Sequence, residues 1–62
     1  MIWLRIDNNN TTFSIYDGID VLWYCKKPYD SITDIDGYIT IRFDGLSELS
    51  LPKDKCVIEN IY

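Results

Sequence analysis

The 62-residue chain has no histidine, no alanine and no glutamine. Without histidine there is no imidazole acid–base catalysis, no histidine metal ligand and no ordinary near-neutral pH switch. Without alanine and glutamine, and with only five leucines, few strong helix formers remain. The two cysteines, Cys25 and Cys56, lack a CxxC partner, so one chain cannot supply the four ligands of a structural zinc. A disulfide between them requires that the strands carrying them be neighbours. The expectation from the residues is two free thiols in a reducing, cytoplasmic setting. No apolar run approaches the roughly 20 residues of a membrane span, and the first residues lack a secretory pattern, so no membrane partner is expected. No repeat, low-complexity tract or linker interrupts the sequence. Residues 1–62 therefore read as a single small β domain.

What is present favours strands. Ten isoleucines, two valines, four threonines and nine aromatics make 25 of the 62 residues, all types that suit a pleated, half-buried surface. A chain of this length buries only about 60% of its unfolded surface, so its apolar residues must be used economically. The segment 2–6 alternates, with Ile2, Leu4 and Ile6 on one face and Trp3 and Arg5 on the other. Asp7-Asn8-Asn9-Asn10 is a polar turn. All three glycines follow aspartate, at Asp17-Gly18, Asp36-Gly37 and Asp44-Gly45, the dipeptide that two-residue hairpin turns prefer. The expected strands are 2–6, 11–16, 19–26, 38–43, 46–51 and 56–61. Residues 27–36 are expected as a loop whose Asp36-Gly37 launches the strand 38–43. Pro52 stops a strand, and residues 52–55 can hold one 3₁₀ turn.

Register decides the hairpin at Asp44-Gly45. A two-residue loop would set Ile41 against Glu48 and Ile39 against Ser50. One residue more pairs Ile41 with Leu49 and Ile39 with Leu51, keeping the apolar set on one face, and this longer loop is the expectation. A short helical turn at 46–49 is the alternative. In the first hairpin both faces are apolar, Tyr16, Ile19, Val21 and Trp23 against Phe13, Ile15, Leu22 and Tyr24. One of these faces should line the core and the other should meet something else.

The order of elements over residues 37–61 resembles SH3-like small barrels. It is carried by Gly37-Tyr-Ile-Thr-Ile-Arg-Phe-Asp-Gly45 and by Leu51-Pro52-Lys-Asp-Lys-Cys-Val57, similar to a distal hairpin followed by a 3₁₀ turn and a closing strand. The resemblance implies an all-β fold, a five- to six-stranded antiparallel meander closing into an SH3-like barrel, and it implies fold alone. An open antiparallel sheet that dimerises is the other architecture consistent with the pattern.

No catalytic constellation is visible. Cys25 precedes Lys26-Lys27, a setting that can lower a thiol pKa, but no base or oxyanion hole accompanies it. The loop Asp30-Ser-Ile-Thr-Asp34-Ile-Asp36-Gly37 fails the calcium-loop pattern, which would place Ile32 at the first ligand position and Phe43 at the twelfth. The expectation is a non-enzyme with no cofactor and no metal. Ten acidic against six basic residues give a net charge of −4, which disfavours nucleic acid, because phosphate contacts need a basic surface. A basic face assembled from Arg5, Lys26, Lys27 and Arg42 would reverse that judgement and make the protein a nucleic-acid-associated small barrel.

Nine aromatics exceed what so small an interior holds, and Trp and Tyr are enriched at binding hot spots. Trp3, Trp23, Tyr24, Tyr29, Tyr38 and Tyr62 are the candidate anchors. Among the turn acids Asp17, Asp20, Asp30, Asp34, Asp36 and Asp44, the loop set Asp30, Asp34 and Asp36 is singled out to face a partner's basic surface. The expected function is a protein-binding module. Residues with A/T-rich codons point to an A/T-rich genome such as that of a low-GC bacterium or its phage, so a small phage- or mobile-element-type inhibitor of a host protein is the specific form considered. A homodimeric structural or adaptor protein is the alternative.

Overall fold

The computed structural model describes residues 1–21 and 23–62, with Val21 described by its backbone. The expectations placed on Leu22 and on the Val21 side chain lie outside the described residues. The fold is all-β, with eight strands and one 3₁₀ turn among the described residues: β1 (Ile2–Asp7), β2 (Thr12–Asp17), β3 (Asp20–Val21), β4 (Lys27–Pro28), β5 (Ser31–Ile35), β6 (Tyr38–Phe43), β7 (Ser47–Pro52), the turn Lys53–Lys55 and β8 (Cys56–Ile61).

The strands form two sheets. Sheet A runs β3-β2-β1-β8, with β4 also pairing β2, and sheet B runs β5-β6-β7. The core lies between them and draws equally on both. Leu4, Ile6, Phe13 and Ile15 come from sheet A and Ile39, Ile41, Phe43 and Leu51 from sheet B, all buried. Period-2 alternation explains the choice, since each contributing strand turns every second side chain inward. Phe13, Tyr24 and Phe43 meet at one end with ring centroids 5.0–5.4 Å apart, within the range of favourable tilted aromatic pairs.

Several expectations hold in detail. Ile39 pairs with Leu51 and Ile41 with Leu49 across a three-residue loop, so the apolar register selected the longer turn over the helical alternative. The strands 38–43 and 56–61 and the 3₁₀ turn fall where the sequence placed them. The polar turn after β1 is fastened by Asp7, whose Oδ1 accepts from the Asn9 and Asn10 N–H groups.

Others are corrected. The described residues form eight strands, not five or six, because residues 27–36 are not a loop: they contain β4 and β5, and Asp36-Gly37 is itself a two-residue hairpin turn joining Ile35 to Tyr38. Both turn residues have positive φ, +54° and +79°, the requirement of the type I′ turn. The strand β5 escaped because Ser31, Thr33 and Asp34 dilute its apolar signal and it is mostly exposed. At the first hairpin the loop is Gly18-Ile19, since Asp17 pairs with Asp20. Glycine then stands at the first central position with φ +64°, as a type II′ turn needs.

The expected strand 19–26 is broken. Asp17 faces Asp20 but Phe13 faces Lys27, three residues more than an unbroken ladder needs. The surplus is a bulged segment that still feeds the edge of β2: the Ile15 N–H donates to the Tyr24 carbonyl (3.0 Å), and the Lys26 N–H donates to Ser14 Oγ (2.8 Å). After β4 the chain changes sheet. The Tyr29 N–H donates to the Thr11 carbonyl, just before β2 of sheet A, and the next N–H, of Asp30, donates to the Arg42 carbonyl in sheet B.

The closing strand is the largest departure. β8 pairs with β1 in parallel, Trp3 opposite Val57 and Arg5 opposite Glu59, so the sheet is not an antiparallel meander. Among the described residues no strand pair joins β7 to β8 and no closed barrel is found. Cys25 and Cys56 are free. They lie on segments separated by β2 and β1, about three strand spacings or on the order of 14 Å apart, well beyond disulfide reach.

Candidate functional site

The alternation that buries Leu4 and Ile6 turns Trp3 and Arg5 to the outer face of sheet A. Tyr16 of β2 stands opposite Trp3, and Val57 of β8 flanks it on the other side. The Arg5 guanidinium lies over the Tyr16 ring at 5.4 Å and 3.6 Å from the Glu59 carboxylate. These pairings hold a charged side chain against an aromatic wall on three adjacent strands. Gly18 and Ile19, at the tip of the β2-β3 hairpin, complete an open depression lined by Trp3, Arg5, Tyr16, Gly18, Ile19 and Glu59, with a volume of about 410 Å³. Ile19 is 95% exposed and Trp3 40%. An exposed isoleucine at a hairpin tip beside a half-exposed tryptophan gives this end of the sheet an apolar surface.

The sequence-selected residues separate into three groups. Trp3 lies on this outer face. Tyr24 and Tyr29 are partly buried and pack against the core, so they act first as its wall; Trp23, 59% exposed, is the outward member of the Trp23–Tyr24 pair. Tyr38, 52% exposed, lies on sheet B, where it lines a second shallow depression with Asp36, Gly37, Pro52, Lys53 and Asp54.

The loop acids are largely engaged within the chain. Asp30 Oδ2 accepts from the Gly45 N–H (2.9 Å). Asp34 pairs with Lys53 (2.7 Å) and Asp44 with Lys27 (2.8 Å). The bases are treated the same way: Arg5, Lys27, Arg42 and Lys53 each have a carboxylate partner. Arg5 and Arg42 point away from the shared core on different sheets. The proposed basic group of Arg5, Lys26, Lys27 and Arg42 therefore does not gather on one face.

Tyr16, Ile19 and Glu59 were not among the candidate site residues. Tyr16 and Ile19 carried a signal, the second apolar face of the first hairpin. Glu59 carried none, because it reaches Arg5 only through the parallel pairing of β8. No family model, curated protein or solved structure matches the chain.

Proposed function

We propose that this chain is a non-enzymatic protein-binding module whose docking surface is the outer face of sheet A. One observation carries the reading: Trp3, Tyr16 and Ile19 are directed outward from paired strands and a tight turn while an equally apolar set fills the core behind them. Side chains held on a sheet lose little conformational freedom on binding, which favours them as anchors. Asp17 and Asp20 border the same end of the sheet, and with the net charge of −4 they favour a partner with a basic rim around an apolar centre. A small phage- or mobile-element-type inhibitor of a host protein is the specific form we favour.

The fold-level reading that accompanies it is a partly open relative of SH3-like barrels. It is supported by the change of sheet at Tyr29–Asp30 and by the 3₁₀ turn before the last strand. The parallel pairing of β8 is the departure from that pattern.

The test is capture from source-type lysate with and without nuclease, using wild type, Trp3→Ser/Ile19→Ser and Tyr38→Ser. The expected result is one stoichiometric protein that survives nuclease, is retained by Tyr38→Ser and falls at least about tenfold with the outer-face variant, as loss of hot-spot anchors demands. Signal that vanishes with nuclease, with affinity falling steeply in salt, would instead establish the nucleic-acid reading.

A further inference from the structure

The outer edge of β8 is a six-residue strand with a partner on one side only. Its free groups can be assigned. The Asn8 N–H donates to the Ile61 carbonyl at 2.8 Å, so Ile61, and by alternation Glu59 and Val57, direct their backbone groups to β1. Cys56, Ile58 and Asn60 therefore direct their backbone groups outward; the Cys56 N–H closes the 3₁₀ turn on the Lys53 carbonyl, and the other outward groups have no backbone partner among the described residues.

Exposed edges invite pairing with another strand, and folded proteins usually blunt them. Two of the other edges are blunted: the β3 and β4 segment is interrupted and holds Pro28, and β5 turns the charge of Asp34 to its inner face, opposite Ile39. The edge of β7 carries proline only as its last residue. In β8 there is no proline, no lysine and no bulge, and its one charge, Glu59, is already held by Arg5.

We infer that β8 is the edge through which two copies of this chain pair, antiparallel about a two-fold axis at Ile58. The register follows from which groups are free. Only outward residues can exchange hydrogen bonds, so Cys56, Ile58 and Asn60 must face one another across the axis. Centring on Ile58 pairs Ile58 with itself and Cys56 with Asn60 of the second copy, giving about four main-chain hydrogen bonds, since the Cys56 N–H is held in the 3₁₀ turn. A shift by two towards the C-terminus would set Glu59 against Glu59, which like charges disfavour. A shift the other way sacrifices one bonded pair. In the favoured register Val57 stands opposite Glu59 of the second copy twice, on the outer face, and Ile58 meets Ile58 beside the core side. The two sheets A then become one continuous sheet. This edge adjoins the Trp3–Ile19 surface through Glu59, and the inference does not depend on the proposed function.

The register supplies the test. Val57→Lys places a lysine opposite each Glu59 of the second copy, and Val57→Glu places a carboxylate there; both lose the same contact with Trp3, so their comparison cancels the cost to the fold. Sedimentation equilibrium of the full chain under reducing conditions should show a concentration-dependent dimer. Its dissociation constant should be about tenfold or more tighter for Val57→Lys than for Val57→Glu. Asn60→Pro, which removes an outward N–H where the ladder to β1 does not need it, should give monomer with an unchanged strand content by circular dichroism. Isotope-filtered spectra of a mixed labelled and unlabelled sample should show an Hα–Hα contact between Val57 and Glu59 of the second copy. A monomer at millimolar concentration would overturn the inference. So would a dimer indifferent to the sign of the charge at position 57, or one broken by Trp3→Ser and not by Asn60→Pro.

Discussion

Individual side chains carry contributions that the fold makes readable one at a time. Ile41 is fully buried at the centre of β6, where truncation leaves a cavity that strands cannot easily collapse. Ile41→Ala is expected to cost about 2–5 kcal/mol in denaturant unfolding; a loss below about 1 kcal/mol would mean that the face assignment is inverted. The two thiols should behave differently. Burial, and secondarily the charge of Asp54, push the Cys56 thiol above its ordinary pKa, and its Sγ donates to the Pro52 carbonyl (3.2 Å), whereas Cys25 is exposed. Alkylation of the folded protein near pH 8 should modify Cys25 well before Cys56, because the thiolate is the reactive species. Peptide mapping of partly labelled protein reads the order, and faster labelling of Cys56 would contradict it. Asp7 gives the acid-side counterpart. Hydrogen bonds from the Asn10 side chain, then from the Asn10 N–H, hold its carboxyl below the usual carboxylate range. A depressed folded pKa contributes stability above the unfolded value of about 3.9, and that contribution is lost as pH falls through the folded value. Asp7→Asn should flatten this part of the acid limb of a stability–pH curve and leave the neutral plateau's slope unchanged.

Turns are the elements on which the sheet registers depend. Gly37 has φ +79° with no atom within 4 Å of an added Cβ, so substitution there is a pure test of backbone strain. Gly37→Val should lower stability by about 1–2 kcal/mol, and Gly37→Asn should recover most of it, since asparagine tolerates the left-handed region. Equal losses would show that the side chain meets a neighbour in solution. Strand existence was legible wherever alternation was clean: Ile2, Leu4 and Ile6 read as an inward row, and Ile39, Ile41 and Phe43 as another. The hairpin β6-β7 was legible down to its register because only one loop length kept Leu49 and Leu51 with that row. The strand β5 was not, since an exposed edge strand has no need of an apolar stripe. The broken ladder between Val21 and Lys27 was equally hidden, for its surplus residues are accommodated by hydrogen bonds from the Tyr24–Lys26 backbone region, and no side-chain pattern announces them.

At the scale of the whole molecule, the missing information is the pairing of the two chain ends. A local pattern can say that residues 56–61 form a strand, but not that they lie parallel to β1, because that contact spans the length of the chain. That single pairing creates the Arg5–Glu59 contact, completes the depression beside Trp3 and leaves the β8 edge open. The candidate site was accordingly half legible: the sequence marked Trp3 and the doubly apolar first hairpin, and the fold brought them together with Glu59. It also dispersed what looked like a site, since Asp30 and Asp34 are engaged within the chain and Tyr24 packs against the core. No helix among the described residues is long and apolar enough to cross a membrane.

The outer face of sheet A is proposed to meet a protein partner. Hydroxyl-radical footprinting of the captured complex against the free protein tests it most directly, because aromatic side chains report their own exposure. Trp3 and Tyr16 should become protected in the complex while Trp23 and Tyr38 keep their reactivity. Protection of Trp23 or Tyr38, with Trp3 still oxidised as in the free protein, would contradict it and move the docking surface elsewhere.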